Sequence, residues 1–230
     1  MNVFFYIKLK TTFSEAFMVI KYSKTASFDV DAQKGFTPLC PDELPVPDGD
    51  KIASALNRQA AFAKFRVGSK DWHCKQALWL ADDKNPQFSP IKGRNVDIRW
   101  NCHCIGGTKG AELLDGLPHP ADYDFFVWKG MEPDMHPYGA CFHDLDGRLS
   151  TGVIEFLHGN GVDTVIVGGL ATDYCVKTTA MQLKRAGFNV VVNLEACRGI
   201  SIDTIDAAIS DMTKEGIVVL KNLNDLKVEK

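Results

Sequence analysis

Strands alternating with helices along 230 residues predict an α/β fold: a three-layer, doubly wound, mostly parallel sheet with helices on both faces. Three features carry that expectation. Short β-branched runs bounded by glycine, such as residues 165–167, read as strands buried on both faces. The stretches between them place apolar residues at three- and four-residue spacing, the mark of amphipathic helices. At 45% apolar and 24% charged, the chain has material for one large core.

The elements follow in order. Residues 1–24 form an N-terminal extension of unclear role, in which Phe4, Phe5, Tyr6, Phe13 and Phe17 are too apolar for a disordered tail. Residues 25–230 read as a single domain. A strand ends near Asp31, then a loop rich in Pro and Asp leads to a helix over 49–65, with Ile52, Ala55, Leu56, Ala60 and Ala63 inward. A second strand over 65–69 delivers Asp71, Trp72 and His73 beyond its end. Residues 75–110 are irregular. A third strand covers 124–128, with Lys129 at its exit. Ser150 or Thr151 caps a helix through Leu157. The strand at 165–167 then turns, through glycines, into a helix that opens with Cys175 and stops at Gly187. A strand at 188–194 follows. Ser201 caps a helix with Ile202, Ile205, Ile209 and Met212 inward, and 216–220 closes the sheet.

In a parallel sheet the carboxyl ends of the strands share one rim, where an open α/β sheet binds its ligand. Asp31, Asp71, His73, Lys129 and Cys175 each fall at or just past such an end. Their chemistry is complementary. Asp31 supplies a base, Lys129 a cation that lowers neighbouring pKa values, and Cys175 a nucleophile at a helix start, where backbone N–H groups favour a thiolate.

A formal charge of −3 gives no reason to expect nucleic acid or an anionic membrane as partner. Seven cysteines without scaffold spacing point to a reducing cytoplasm. Lys8 and Lys10 break the opening apolar patch before it reaches the length of a signal peptide, and no run approaches the roughly 20 residues that span a bilayer. A homo-oligomer is compatible with the sequence, which sets no copy number.

Val30-Asp31-Ala32-Gln33, Leu44-Pro45-Val46-Pro47, Asp71-Trp72-His73, His103-Cys104, Gly106-Gly107-Thr108, Lys129-Gly130 and the run from Gly169 to Val176 occur in a characteristic order. In these motifs the chain resembles the nicotinamidases of the isochorismatase-like cysteine hydrolase superfamily. The resemblance implies a small-molecule amidohydrolase that converts nicotinamide to nicotinate and ammonia in NAD salvage. It implies Asp31 as general base, Lys129 beside it and Cys175 as nucleophile. The amides of Ala171 and Cys175 form the implied oxyanion hole, with a cis peptide at Leu170–Ala171. Asp71, His73 and His103 are the implied ligands of one divalent ion, zinc first, with iron or manganese as alternatives. An Asp-x-His pair in extended chain puts both side chains on one face, as such a site needs. Phe36, Trp100, Tyr138 and Tyr174 are the implied substrate contacts.

The chemistry stands beside the name. A carboxamide is a poor electrophile and ammonia a poor leaving group, so hydrolysis needs a strong nucleophile and a proton for the nitrogen. Two other readings are a sister amidase acting on another small amide, carbamoyl or ureido substrate, and a non-catalytic metal-binding scaffold. The set of Asp31, Lys129 and Cys175 argues against the scaffold, which needs none of the three. Departures from the family pattern fall at Lys34-Gly35, and over 74–99, where a His-Ser-Phe pattern is missing.

The remaining candidates read as structural. Cys102-His103-Cys104 lacks a second cysteine pair to make a zinc clip. Cys40, Cys74, Cys141 and Cys197 read as structural thiols, and His119 and His158 as solvent-facing; His136 and His143 flank the Tyr138 segment, which leaves a place near the pocket open to them, and read first as surface histidines. Trp72, Trp79 and Trp128 read as core or surface anchors.

Overall fold

The computed structural model describes residues 18–230, so the aromatic residues from Phe4 to Phe17 lie outside it. In chain order the elements are β1 (Met18–Lys21), β2 (Thr25–Val30), α1 (Ala53–Ala60), β3 (Phe65–Asp71), β4 (Phe125–Lys129) and α2 (Val153–Gly159). They continue with β5 (Thr164–Leu170), α3 (Lys177–Arg185), β6 (Asn189–Arg198), α4 (Ile202–Lys214), β7 (Val218–Leu220) and β8 (Leu226–Glu229). Six strands form one sheet in the order β4-β3-β2-β5-β6-β7, with every neighbouring pair parallel. The expected doubly wound α/β architecture is what the chain forms.

Both faces of the sheet are covered, which is why its central strands can be apolar on both sides. On one face Phe28, Val30, Val165 and Val167 pack with Val153 and Leu157 of α2, Leu183 of α3 and Met212 of α4. On the other, Ile166 and Val191 pack with Ile20, Leu223 and Leu226. Helix α1 covers that second face too. Its buried Gln59 donates from Nε2 to Ser27 Oγ and to Ile166 O, both at 3.1 Å. β1 pairs in parallel with β8 in a separate two-stranded sheet, so part of the expected extension is tied to the far end of the chain.

Several boundaries differ from expectation. α1 begins at Ala53 after a 3-10 turn (Gly49–Lys51) and stops at Ala60, shorter than 49–65. α2 begins after Gly152 in the left-handed region, φ 86°, with no side-chain cap. Of the two expected caps, Ser150 instead accepts from Gly152 N and donates to Glu155, and Thr151 donates to Ala140 O. Ser201 does cap α4 by accepting from Thr204 N, but Ile202 is 69% exposed rather than inward. At the first position the helix has barely begun to turn toward the sheet, and Ala208 and Met212 carry the buried face.

The chain builds β2, β3 and β4 outward to one side, then returns to place β5, β6 and β7 on the other. The reversal lies between β2 and β5, the paired central strands. Crevices at such switch points bind ligands beyond the strand carboxyl ends. Asp31 follows β2, Asp71 ends β3, Lys129 ends β4 and Cys175 follows β5.

Candidate active site

Cys175 sits in a π-type turn (Thr172–Val176) between β5 and α3, not in the first turn of a regular α-helix. Asp173, in the same turn, accepts from Ile200 N at 3.2 and 3.1 Å and from Thr204 Oγ1 at 2.5 Å, which fastens the turn to the start of α4. The peptide Leu170–Ala171 is cis, as the resemblance implied.

Lys129 is the centre of the charge arrangement. Its Nζ lies 3.0 Å from Asp31 Oδ2 and 3.8 Å from Cys175 Sγ, donates to Pro137 O at 3.2 Å, and pairs closely with Asp71 Oδ1. All of these side chains are buried. Asp31 has φ 44°, its amide donates to Ser69 O at 3.1 Å, and its Oδ1 accepts from Ser69 Oγ at 2.7 Å. Asp71 is locked from behind by Gln33, whose amide accepts from Asp71 N at 2.7 Å and donates to Asp71 O at 2.8 Å. Nothing in the sequence singles out Ser69, and Gln33 carries no role there beyond its place in a motif. Gln33 belongs to the Val-Asp-x-Gln segment and was the readable signal.

Burial sets the electrostatics. It pushes Asp31 up to about 6, with Lys129 opposing and the Asp71 carboxylate adding to the rise. Burial also pushes the Cys175 thiol well up against the pull of Lys129, so the resting side chain is the neutral thiol. Burial works against ionisation of Asp71, but Lys129 and His73 outweigh it and hold the carboxyl well below its usual range. For Lys129 the penalty of burial is outweighed by Asp31 and Asp71, which keep it charged.

Beside this group lie His73 and His103, both buried. Nδ1 of His73 is 2.9 Å from Gly130 O, and Nδ1 of His103 is 2.6 Å from Asn101 O. A carbonyl can only accept, so each Nδ1 donates and each Nε2 is the ring atom left to meet a ligand. The close approach at Gly130 requires glycine, since φ is 68° and a Cβ there would meet the His73 ring. Asp71 Oδ2 lies 3.4 Å from His73 Nε2 and 3.9 Å from His103 Nε2, and His73 Nε2 has no hydrogen-bond partner. Burial lowers His103 to about 3, which leaves it neutral at pH 7. Two imidazoles oriented by their Nδ1–carbonyl contacts and an ionised carboxylate oxygen fit a divalent ion of zinc type.

A narrow pocket opens onto Cys175, lined by Phe36, Leu44, Val46, Trp100, His103, His136, Tyr138, Ala171, Tyr174 and Ile200. All four aromatic residues named from the resemblance are there. Trp100 crosses Tyr174 at 88° with ring centres 4.9 Å apart, and its Nε1 donates to Tyr138 Oη at 3.3 Å. One expectation is corrected: His136 is not on the surface. It is 5% exposed and lines the pocket. His119 and His158 are exposed, as read. All seven cysteines are free thiols. No helix among the described residues is long and apolar enough to cross a membrane.

Comparison with known proteins gives the family. Residues 25–222 match the isochorismatase domain family. A nicotinamidase of Acinetobacter baylyi is 31% identical over 86% of this chain and 92% of its own length. Among solved structures, a nicotinamidase/pyrazinamidase of Acinetobacter baumannii superposes with a TM-score of 0.78 at 32% identity, over 86% of this chain and 96% of its own. A pyrazinamidase of Pyrococcus horikoshii in complex with zinc superposes with a TM-score of 0.69 at 30% identity, covering 86% and 98%. The chain therefore belongs to the isochorismatase family and, within it, to the nicotinamidase branch of cysteine hydrolases.

Proposed function

We propose that this protein hydrolyses nicotinamide to nicotinate and ammonia, a step of NAD salvage, with Cys175 as nucleophile and residues 25–230 acting as one hydrolase domain. The observation that carries the reading is the convergence of Asp31 and Lys129 behind Cys175, which itself lines an aromatic pocket. The names of its relatives as nicotinamidases support the substrate.

The resting thiol must lose its proton as it attacks. Asp31, held near 6, is suited to take that proton at neutral pH and to return it. The sulfur adds to the carboxamide carbon, and the amides of Ala171 and Cys175 stabilise the oxyanion. One such donor is typically worth ~2.7–4 kcal/mol of barrier. Asp31 then protonates the departing nitrogen, ammonia leaves and a thioester stays on Cys175. Water attacks the thioester with its proton passing to Asp31, nicotinate departs, and the proton returns to sulfur. Lys129 keeps Asp31 and Asp71 in place throughout and balances the charge that develops on the thiol.

Asp71, His73 and His103 would hold the divalent ion. When bound, it supplies a positive charge and a Lewis-acid position beside the pocket. Phe36, Trp100, Tyr138 and Tyr174 hold a flat aromatic ring and exclude water around the acyl group.

The test is ammonia release from nicotinamide by purified zinc-loaded protein, measured beside pyrazinamide, benzamide and a panel of aliphatic amides and ureido compounds. Preferred turnover of nicotinamide is expected. Inactivity on nicotinamide with turnover of a carbamoyl or ureido compound would assign the chain to a sister activity.

A further inference from the structure

His136 is the buried histidine that the mechanism leaves unused. Neither ring nitrogen has a hydrogen-bond partner, although the residue is only 5% exposed. Buried polar atoms are normally paired, so an imidazole with both nitrogens unpartnered calls for a ligand.

The ring does not arrive there by chance of loop placement. His136 N donates to Asn95 O at 2.9 Å, and the indole of Trp79 donates to Met135 O at 3.1 Å. On the other side, Lys129 Nζ donates to Pro137 O at 3.2 Å. Residues before, at and after His136 are thus each tied to a different part of the fold. The ring packs against Trp79, with centres 4.3 Å apart, and lies nearly parallel to Trp100 at 5.9 Å. Supporting contacts of this kind fix where a ligating side chain points.

It is fixed beside the other imidazoles. His136 lies 5.3 Å from His73 and 5.8 Å from His103, centre to centre. One ring nitrogen from each of the three lies within 4.8 Å of the other two. Donors bonded to one zinc-type ion at roughly 2.0–2.1 Å must cluster in this way.

We propose that His136 is a fourth protein ligand of the divalent ion at Asp71, His73 and His103, an inference that rests on the metal reading given above. Three imidazoles and one carboxylate make a site more nitrogen-rich than the Asp-His-His set. Such a donor set favours zinc, cobalt or iron over magnesium and calcium, and leaves at most two positions open on a six-coordinate ion. The sequence departs from its family over 74–99, and Trp79 from that segment forms the wall against which His136 is held.

The experiment strips the full chain with a chelator and titrates it with Zn(II), in the wild type, His136→Phe, His136→Asn and His73→Ala. Far-UV circular dichroism checks that each is folded. Both His136 variants should bind Zn(II) at least about 100-fold more weakly, beyond the usual loss of an outer-shell partner. The visible bands of the Co(II) forms should shift in position and intensity between wild type and variants. Exposed His119→Ala should change neither. X-ray absorption fine structure of the Zn(II)-loaded wild type gives an independent count, with three imidazoles expected. Two imidazoles, or folded His136 variants with wild-type affinity and an unchanged Co(II) spectrum while His73→Ala loses the ion, would overturn the fourth ligand and leave the three-ligand site standing. A wild-type protein that takes up no Zn(II) would overturn both.

Discussion

Lys129 and Asp31 form an ion pair with Nζ 3.0 Å from Oδ2, and neither side chain is exposed to solvent. The same ammonium also pairs with Asp71 and approaches Cys175 Sγ. One cation, at the end of β4, thus links the base, the nucleophile and a candidate metal ligand from the carboxyl ends of three other strands.

Removing that cation leaves two buried carboxylates facing each other. Lys129→Met keeps most of the side-chain volume but not the charge. Breaking a buried pair by deleting one partner typically costs about 3–5 kcal/mol. A loss of that size is expected in urea unfolding, together with loss of turnover. An unchanged unfolding midpoint would show that the two carboxyls do not depend on Lys129.

The pH dependence follows from Asp31. As the base it must be ionised, and burial raises its pKa to about 6. On acidification, kcat/KM should fall through an apparent pKa near that value. Stability should respond with the opposite sign. Because the folded pKa lies above the unfolded one, the native state holds the extra proton between them, and the Asp31 contribution grows as pH falls through that window. An acid limb that survives unchanged in Ser69→Ala, which removes the hydrogen bond to Asp31 Oδ1, would assign the limb to another group.

Cys175→Ala should abolish turnover without unfolding the protein, since alanine is tolerated at this small buried position. Asp31→Asn should lower kcat by about 10²–10⁴, the usual worth of a positioned general base. Acid quench of the wild type during turnover, followed by mass spectrometry, should reveal an acyl adduct on Cys175. Full activity of the alanine variant would refute covalent catalysis.

The sheet and its rim were legible because they depend on local pattern. β-branched runs bounded by glycine fix strands, and parallel strands force their carboxyl ends to one edge, so Asp31, Lys129 and Cys175 could be brought together from sequence alone. His136 was misplaced because its burial depends on Asn95, Trp79 and Lys129, through contacts no periodicity encodes. A signal was nonetheless present. His136 flanks the Tyr138 segment, which the resemblance puts at the pocket and which keeps a place there open to His136, and residues two apart share a side when a chain is extended. Ile202 was misread for the opposite reason: its helical spacing was correct, but the end of a helix need not face the core.

Metal removal tests the donor cluster against the substrate. Benzamide has the shape and carboxamide of nicotinamide but no ring nitrogen. A pyridine nitrogen is a borderline donor much like imidazole, and suits the same ions. If the ion at Asp71, His73 and His103 takes the ring nitrogen, stripping it should weaken nicotinamide by about 2–4 kcal/mol, roughly 30- to 1000-fold, and benzamide far less. An ion that only supported the fold would weaken both alike. Calorimetric titration of metal-loaded and chelator-treated Cys175→Ala protein with each compound makes the comparison without turnover, and His73→Ala in the same background should repeat it. Equal losses for the two compounds would remove the ring nitrogen from the coordination sphere and leave substrate choice to Phe36, Trp100, Tyr138 and Tyr174.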